Sequence, residues 1–382
     1  MEEWKEYKLG EICEILDSKR IPLSSMQRQN RQGNYPYYGA QGVIDYVDDY
    51  LFDGTYLLVA EDGNNVLTQK EDIAIIAKGK FWVNNHAHIL GYNGKCDLYL
   101  LGYILNSMDI SSYVTGTAQP KLNQQNLSNI PIILPSKDKQ DKIVSILKSL
   151  DDKIENNRKI NENLEQQAQA LFKSWFVDFE PFRDQPFVES ELGMIPEGWR
   201  VGTLSEIAEY SKLRISIKEI DTHTYVSTEN MLANKQGITE ASGLPDVENV
   251  TKYEIGDVLI SNIRPYFKKL HYCNHIGGCS GDVMCFHPLS KEYRGYLYCS
   301  LYDDVFFDYV MSGAKGTKMP RGDKRQIMNY RIIIPSNSII NQFNNFVLLL
   351  LSQIDNNRKQ SLHLSQLRDT LLPKLMSGEI TI

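Results

Sequence analysis

Six histidine and cysteine residues crowd into one short stretch of the sequence and could together bind a zinc ion. They are His271, Cys273, His275, Cys279, Cys285 and His287. Zinc sites in proteins use four such ligands in a tetrahedral arrangement. The spacing here matches no zinc-finger pattern, and its alternation is typical of thiols on buried strands. We therefore predict buried strands at this position and no metal site.

No other motif carries enough chemistry for catalysis. Asp184–Phe187 (DQPF) has one proline, whereas the loop with which amino-methyltransferases hold a flipped base has two. Gly313–Lys318 (GAKGTK) lacks the spacing of a GxxxxGK phosphate loop. His86 and His88 fit a strand with one wet face better than a pair of ligands. We predict no catalytic residue and no cofactor bound by this chain itself.

Polar and basic side chains between the strand-like runs could instead bind nucleic acid. The loop from Ser312 to Arg325 carries five cations against the single Asp323. Asn, Gln, Arg and Lys side chains can form paired hydrogen bonds with base edges in the major groove. The alternative for such a loop is a solvated surface without a ligand.

We predict DNA contacts in two groups of residues, one in each half of the chain. The first group is Tyr37, Tyr38, Gln41, Asn64, Asn65, Lys78, Lys80, Asn85, His86, Thr117 and Lys121. The second group is Asn262, Arg264, Lys268, Lys269, Lys315, Thr317, Lys318 and Arg321. The tyrosines come from an aromatic turn, Asn34–Gly42 (NYPYYGAQG), and could equally be core residues.

Composition limits the class of protein. The 382 residues carry a net charge of −7, which argues mildly against nonspecific coating of nucleic acid along the whole chain. No apolar run reaches the roughly 18 to 20 residues of a membrane span. The N-terminus is acidic and polar, and the six cysteines lack CxxC spacing. These features predict a cytoplasmic protein with no membrane partner.

The chain is built from two copies of one design. The hexapeptide IENNRK at Ile154–Lys159 returns as IDNNRK at Ile354–Lys359, 200 residues later. Asn129–Ser136 (NIPIILPS) matches Asn329–Ser336 (NYRIIIPS) at the same offset, and so do TGTAQPK and KGTKMPR. Each copy is predicted to be a mixed domain, here called a head, followed by a long helix. Residues 1–136 are the first head, 137–182 its helix, 183–335 the second head and 336–382 its helix.

Each predicted helix carries a heptad seam. Apolar residues recur in steps of four and three, and both seams contain an asparagine, Asn157 or Asn357. Polar seam residues cost stability but fix the register of paired helices. We predict that the two helices pair, the alternative being that each packs on its own head. The seam residues are Leu147, Leu150, Ile154, Asn157, Leu164, Leu171, Leu350, Ile354, Asn357, Leu364 and Leu371.

The length of these helices suggests a spacer. They should begin after Ser136 and Ser336, whose side chains could cap free N–H groups, and Pro373 should end or kink the second. About 35 residues make a rod of roughly 50 Å, and one turn of B-DNA is about 34 Å. Such a rod could hold two heads on two short half-sites and leave the middle base pairs unread.

These motifs resemble the specificity (S) subunits of type I restriction–modification enzymes over essentially the whole chain. Both copies start with W-x-x-x-x-L-x-E-I, at Trp4 and Trp199, and both carry a GT-x-x-P-[KR] block. A helix of the type LxxxDxKIExN follows the first head. Leu171–Phe182 (LFKSWFVDFEPF) closes that helix, and Glu191–Arg200 (ELGMIPEGWR) opens the second head.

The resemblance implies an α+β fold with two pseudo-symmetric target-recognition domains and an antiparallel coiled coil of the two helices. It implies that each head reads one half of an asymmetric bipartite site in double-stranded DNA. It also implies that the helices dock two methyltransferase subunits, that restriction subunits join them, and that S-adenosylmethionine and ATP bind to those partners.

Two other functions fit parts of the sequence. A scaffold could use paired helices and two heads to bind proteins only, and the negative net charge slightly favours it. A bifunctional enzyme with an unrecognised site is the second alternative. A steep fall of DNA affinity with salt would exclude the scaffold, and methyl transfer by the purified chain would reveal the enzyme.

Overall fold

The computed structural model describes residues 4–116, 119–380 and 382. The chain forms two compact units, residues 1–155 with 360–382 and residues 156–359. The first unit holds the first head, and the second unit holds the second head. Each unit also holds one part of each long helix, and the two units are described separately.

A six-stranded sheet forms the body of the first head, in the order β2-β7-β5-β6-β3-β4. The pair β1–β8 closes the head where the chain enters and leaves it. The strands are β1 (Lys5–Lys8), β2 (Cys13–Ile15), β3 (Gln32–Gly39), β4 (Gly42–Val47), β5 (Phe52–Ala60), β6 (Ala74–Val83), β7 (Ala87–Tyr92) and β8 (Pro131–Leu134). The short helices are α1 (Leu9–Ile12), α2 (Ser25–Gln29), α3 (Asn65–Thr68), α4 (Leu98–Ser107) and α5 (Gln124–Ser128).

Helix α4 and the sheet bury one shared core. The Asp97 carboxylate accepts a hydrogen bond from the backbone N–H of Tyr99 at 2.8 Å and so caps the start of α4. The central strand β5 is buried from Leu57 to Ala60, as expected of a strand covered on both faces. Leu57 packs in one hydrophobic cluster with α4 and with Leu147 of the long helix that follows.

Two smaller sheets form the second head. One has the order β12-β19-β16-β17 and the other β13-β15-β18-β14, in which only β14 and β18 are parallel. Two strand pairs, β9–β10 and β11–β20, complete it. The strands are β9 (Phe187–Ser190), β10 (Gly193–Pro196), β11 (Arg200–Thr203), β12 (Ala208–Tyr210), β13 (Arg214–Ser216), β14 (Tyr225–Val226), β15 (Asn249–Tyr253), β16 (Val258–Ser261), β17 (Leu270–Tyr272), β18 (Gly277–Cys279), β19 (Val283–Pro288) and β20 (Arg331–Ile334).

The two heads share a four-stranded frame. The order β2-β7-β5-β6 of the first head is the order β12-β19-β16-β17 of the second, and every neighbouring pair in both is antiparallel. What each head adds is different. The first head adds the hairpin β3–β4 to the edge of the frame, and the second head adds a separate four-stranded sheet.

Each head is followed by a long helix, as the repeat predicts. Helix α6 spans Lys137–Phe176 and α10 spans Asn337–Ser377, so both begin at the predicted residue. The shorter helices between them are α7 (Arg294–Tyr302), α8 (Asp304–Ser312) and α9 (Lys324–Met328). None of the helices in the described parts of the chain combines the length and hydrophobicity of a membrane span.

Two details of the long helices correct the sequence-based expectation. Of the two outcomes predicted for Pro373, an end or a kink of the helix, the end is wrong, because α10 continues to Ser377. The Ser136 hydroxyl does not cap α6, because it is buried without a hydrogen-bond partner among the described residues. The backbone carbonyl of Ser136 instead accepts the N–H of Gln140 at 3.0 Å, which continues the helical hydrogen bonding by one step.

The two helices run antiparallel in the second unit. Residues further along α6 contact residues nearer the start of α10. The side chain of Asn161 donates to the carbonyl of Ile354 at 3.3 Å, and the ring of Phe172, further along α6, lies 6.0 Å from the ring of Phe343 between centroids. In the first unit, Arg368 of α10 is ion-paired with Asp151 of α6 at 2.8 Å. The fold is therefore α+β, with two related mixed domains, each followed by a helix of a pair.

The repeated hexapeptides supply polar residues to this helix pair. Asn157 and Asn357 are both buried, and the side-chain amide of Asn157 reaches the backbone carbonyl of Asn357 at 3.4 Å. The amide of Asn357 donates to the side-chain oxygen of Asn161 at 2.8 Å. Hydrogen bonds of this kind form only when the two helices are in one register, so the asparagines select that register.

Candidate nucleic-acid interface

A seven-residue loop closes on itself in each head. Thr115 and Lys121 exchange two backbone hydrogen bonds of 2.9 and 2.8 Å, and Lys315 and Arg321 exchange two of 2.9 Å. These are the GT-x-x-P blocks of the sequence, and residues 115–121 and 315–321 are called the GT loops below. Thr117, a predicted DNA contact, lies outside the described residues.

A glycine makes each GT loop possible. Gly116 has φ +86° and Gly316 has φ +101°, a region that residues with a Cβ rarely adopt. A Cβ on Gly116 would also lie 2.6 Å from the carbonyl oxygen of Gln119, across the same loop. The repeated glycine is therefore needed for the backbone geometry of the loop and says nothing by itself about a ligand.

The turn that follows the central strand docks on the GT loop in both heads. In the first head the N–H of Gly63 donates to the carbonyl of Pro120 at 3.3 Å. In the second head the N–H of Arg264 donates to the carbonyl of Pro320 at 2.8 Å. We call residues 63–69 and 264–268 the docking turns. The proline of the repeated block thus contributes its carbonyl to the same backbone contact in each copy.

Both docking turns begin and end in the positive-φ region. The first runs from Gly63 (φ +103°) to Gln69 (φ +44°), and the second from Arg264 to Lys268 (both φ +49°). Glycine adopts this conformation without strain, but arginine does not. The second head therefore tolerates strain at a position where the first head has none.

A buried network of charges supports the docking site of the first head. Arg20 binds Glu61 at 2.6 Å, and Glu61 also binds Lys121 of the GT loop at 2.9 Å. The ring of His88 lies 2.5 Å from a carboxylate oxygen of Asp17 through Nδ1 and 2.7 Å from the Leu122 carbonyl through Nε2. Both ring nitrogens of His88 therefore face oxygen atoms of the surrounding residues.

The charges of this network lower the pKa of its carboxyl groups. Burial alone would raise the pKa of Asp17, but the hydrogen bond and charge of His88 bring it below its ordinary value. Burial also opposes ionisation of Glu61, and hydrogen bonds from Arg20 and Lys121 bring its pKa below the ordinary value as well. Both groups are therefore carboxylates at neutral pH.

The same network has ligand types that could suit a divalent cation. Single ligand atoms of Asp17, Glu61 and His88 lie within 4.8 Å of one another. The carboxylates, however, are already paired with Arg20 and Lys121, and both nitrogens of His88 are engaged. The arrangement is an internal ion network that fixes Lys121 and the start of the docking turn.

The second head has no such charge network at the corresponding position. The strand registers align Lys212 with Asp17, Asn262 with Glu61 and Met284 with His88. Arg321 takes the place of Lys121 and binds Asp282 at 3.1 Å. Two polar atoms here, Oδ1 of Asn262 and Nε of Arg264, are buried with no hydrogen-bond partner within the described chain.

Most predicted contact residues of the first head lie on its surface. The exposed ones are Gln41, Asn64, Lys78, Lys80, Asn85, His86 and Lys121, and Tyr38 is half-buried. Tyr37 is 0% exposed, and its hydroxyl accepts the N–H of Leu23 at 2.9 Å, so it is a core residue. Asn65 is also buried, with its amide bound to the backbone of Glu71. The burial of Tyr37 and Asn65 argues against DNA contacts by their side chains.

The predicted residues of the second head divide in the same way. The exposed ones are Lys315, Thr317, Lys318 and Arg321; Arg264, Lys268 and Lys269 are half-buried, and Asn262 is buried. Lys268 is bound by Asp304 at 2.9 Å, and the Lys269 amine donates to the Thr228 carbonyl at 2.7 Å. Among the predicted residues of this head, the exposed cations therefore all lie in the second GT loop.

The histidines and cysteines between residues 271 and 287 do not gather into a metal-sized cluster among the described residues. Cys273, Cys279 and Cys285 are buried in one hydrophobic cluster, as expected of strand thiols. Burial also raises the pKa of Cys273 well above its ordinary value. His287 is bound to Asp257 at 2.7 Å.

Sequence reasoning missed two features of this region. Asp17 and Arg20 are far in the sequence from Glu61 and His88, and only the sheet brings the two pairs together. The other feature is an exposed aromatic pair in the second docking turn, Tyr266 and Phe267. Its one sequence signal is two aromatic residues directly after Arg-Pro at the end of a strand.

The arrangement agrees with known proteins. Residues 1–166 match the family model described as the type I restriction modification DNA specificity domain. The chain is 27% identical to the type I restriction enzyme MjaIX specificity subunit of Methanocaldococcus jannaschii, over 100% of this chain and 97% of that protein. It is 23% identical to the type I restriction enzyme HindI specificity subunit of Haemophilus influenzae, over the full length of both.

A solved structure has the same fold. The S subunit of a type I restriction–modification system from M. genitalium superposes with a TM-score of 0.57, at 18% identity, over 98% of this chain and 96% of that one. The likeness in sequence extends over both heads and both helices, and the family model covers the first head with most of α6. The chain is therefore similar, over its whole length, to specificity subunits of type I restriction enzymes.

Proposed function

We propose that this chain is the DNA-reading, non-catalytic subunit of a type I restriction–modification complex. In this proposal each head reads one half of an asymmetric bipartite site. The helices hold the half-sites apart and dock two methyltransferase subunits, through which adenine methylation is directed. Restriction subunits join the complex, and S-adenosylmethionine and ATP bind to the partners. The names of the full-length relatives, specificity subunits of restriction enzymes, support this assignment.

One observation supports the two-reader proposal above all. The heads share a four-stranded frame, a docking turn and a GT loop, but they add different elements to that frame. A constant frame with variable additions is what two readers of unlike half-sites need. Two identical heads would read a symmetric site instead.

The exposed cations favour DNA as the ligand. Lys78, Lys80 and Lys121 are exposed in the first head, and Lys315, Lys318 and Arg321 in the second. If these six side chains bind phosphates, log affinity should fall with log salt with a slope of about −5. A flat response, with binding only to proteins, would favour the scaffold alternative, which the net charge of −7 leaves open.

A head exchange tests the assignment of half-sites. Residues between β2 and β7 of the first head would be replaced by the corresponding residues of a relative, leaving the GT loop and both helices unchanged. Methylated positions would be mapped in DNA from cells that carry either version. We expect one half of the methylated sequence to change while the other half and the spacer stay constant. A change in both halves would contradict two independent readers.

A helix insertion tests the spacer. One heptad would be added to α6 after Asn157 and one to α10 after Asn357, so that the seam keeps its period. Seven residues lengthen a helix by about 10 Å, the length of about three base pairs. We expect a methylated site with unchanged half-sites and a spacer longer by about three base pairs. An unchanged spacer in an active complex would show that the helices do not set it.

A further inference from the structure

The second docking turn presents two aromatic rings to solvent. Tyr266 is 47% exposed and Phe267 is 39% exposed, and their ring centroids are 4.7 Å apart. Exposed aromatic side chains on a protein surface mark a binding site more often than exposed aliphatic ones do. The corresponding turn of the first head, residues 64–68, has the sequence NNVLT and contains no aromatic residue.

This turn is held rigidly. The N–H of Arg264 is fixed to the GT loop through Pro320, and the N–H of Lys268 closes the turn on the carbonyl of Pro265 at 2.8 Å. The carbonyls of Phe267 and Lys268 accept the N–H groups of the neighbouring residues 234 and 235, both at 2.8 Å. The backbone that carries the two rings is therefore hydrogen-bonded on both sides.

The same place concentrates backbone strain. Six non-glycine residues have positive φ in the described chain, and four of them lie in these two contacting segments: Asn234, Lys235, Arg264 and Lys268. Strain of this kind persists where the surrounding structure enforces it, typically at binding sites. The first head has Gln69 with positive φ at the end of its turn but glycine at the start, so the frame does not require a strained residue at the position of Arg264. The fold alone therefore does not explain why residue 264 is an arginine.

The charged residues around the two rings, and the position of the turn beside the GT loop, indicate the kind of ligand that the rings bind. The rings are flanked by Arg264, Lys268 and Lys269, with Asp304 as the acidic partner of Lys268. The turn is docked on the second GT loop, which exposes Met319 and three cations, of which Lys315 is paired with Asp323 and Arg321 with Asp282. Apolar side chains next to cations are the means by which many proteins enter the base stack of duplex DNA, where they unstack one step and bend the helix.

We propose that Tyr266 and Phe267 form a wedge that inserts into a base step of the half-site contacted by the second head. Arg264 and the GT loop bind the phosphates around that step. The first head, which lacks the rings, reads its half-site without unstacking it. This inference rests on the proposed function as a DNA-reading subunit, and it adds a distortion of the DNA that is confined to one half-site.

The test uses the full-length chain, co-purified with its methyltransferase subunits, on a duplex that carries the mapped recognition sequence. Fluorescence anisotropy measures binding, and permanganate oxidation of thymines, with 2-aminopurine at adenines, reports unstacked bases. Adenines flipped by the methyltransferase subunits react in both half-sites, and we expect one additional reactive base step only in the half-site of the second head. The double variant Tyr266→Ala/Phe267→Ala should remove this reactivity and weaken binding about tenfold, the size of one lost stacking contact.

Control variants distinguish insertion of the two rings from the loss of any exposed ring and from misfolding. Tyr92→Ala removes a ring that is 52% exposed at the end of β7 in the shared frame of the first head, and it should change neither reactivity nor affinity. Phe267→Leu keeps an apolar side chain at the tip and should retain part of the reactivity. Unchanged melting temperatures would show that the variants fold.

Three results would overturn the proposal, and they are distinguishable. A wild-type complex whose reactive bases are limited to the flipped adenines would exclude a wedge while leaving the proposed function intact. A double variant that keeps DNA binding and reactivity but loses methyltransferase subunits would assign the rings to a protein interface. A wild-type complex that shows no site-specific DNA binding would end the proposed function and the wedge together.

Discussion

The two heads hold the same loop with the same backbone contact but support it with different chemistry. In the first head the docking turn rests on a buried network of Asp17, Arg20, Glu61 and His88, and it starts with an unstrained glycine. In the second head the corresponding turn starts with a strained arginine. The shared part is made of main-chain hydrogen bonds between a strand end and a proline carbonyl.

This difference shows which part of a head is free to vary. A contact between backbone groups does not depend on side-chain identity, so the frame survives replacement of the residues around it. A buried charge network, in contrast, is stable only when all its members are present, because one missing partner leaves a desolvated charge. Each head is therefore stabilised locally by residues of its own, on a frame that both copies keep.

The largest expected effect follows from breaking the network of the first head. The side chains of Arg20 and Glu61 are only 15% and 10% exposed. Arg20→Leu should lower the free energy of unfolding by about 3 kcal/mol, since it leaves two buried carboxylates without their guanidinium partner. Denaturant unfolding would measure the loss, and hydrogen exchange should locate it in peptides of the first head.

Arg31→Leu is the matched control in the same head. Arg31 binds Asp48 at 2.9 Å, but the two side chains are 33% and 49% exposed. An exposed pair of this kind contributes less than about 1 kcal/mol. Equal losses in the two variants would mean that the network is solvated like a surface pair, and the contrast between the heads would disappear.

Acidification should distinguish the heads by pH range. His271 of the second head is buried, neither ring nitrogen has a partner among the described residues, and burial, with the charges of Arg358 and His275, lowers its pKa from 6.5 to about 3. A neutral native ring and a protonated unfolded one mean that stability falls as pH falls from 6.5 towards 3. At pH 5 the loss is about 2 kcal/mol.

The first head should respond only at lower pH. The pKa values of Asp17 and Glu61 are lowered in the fold, so their stabilisation is complete above the unfolded values of 3.8 and 4.5 and is lost below them. Hydrogen exchange between pH 7 and 5 should therefore show loss of protection in the second head alone. His271→Leu should remove that loss, while replacement of the exposed His223 by Gln should not. Simultaneous loss in both heads would refute the assignment to His271.

The sequence predicted the parts of the fold that depend on repetition and periodicity. The start of α6 at Lys137 and of α10 at Asn337 followed from the repeat. The end of α10 did not follow, because Pro373 is flanked by Leu372 and Leu375, which are buried in the core of the first unit. That packing offsets the roughly 3 kcal/mol cost of a proline within a helix.

The candidate site was predicted less completely, for a physical reason. Exposure of lysines in the GT loops follows from local composition. Burial of Tyr37, or of the ion network around His88, depends on which strands become neighbours in the sheet, and no local pattern in the sequence encodes that. Backbone strain at Arg264 is equally invisible, because the residue type gives no sign of a positive φ.

The smallest expected effect comes from exchanging the residues that begin the docking turns, and it isolates the strain itself. Gly63→Ala places a Cβ at φ +103°, where nothing lies within 4 Å of it, so only backbone strain of about 1 to 2 kcal/mol opposes it. Arg264→Gly removes strain and an unpaired buried Nε, while the unfolded chain gains entropy from the glycine. We expect the first variant to lower the melting temperature and the second to leave it nearly unchanged.

If Arg264→Gly nevertheless weakens binding of the mapped duplex severalfold, the arginine is kept for its ligand. If the variant loses stability and keeps its affinity, the guanidinium is a structural group and the contrast between the turns is one of packing alone.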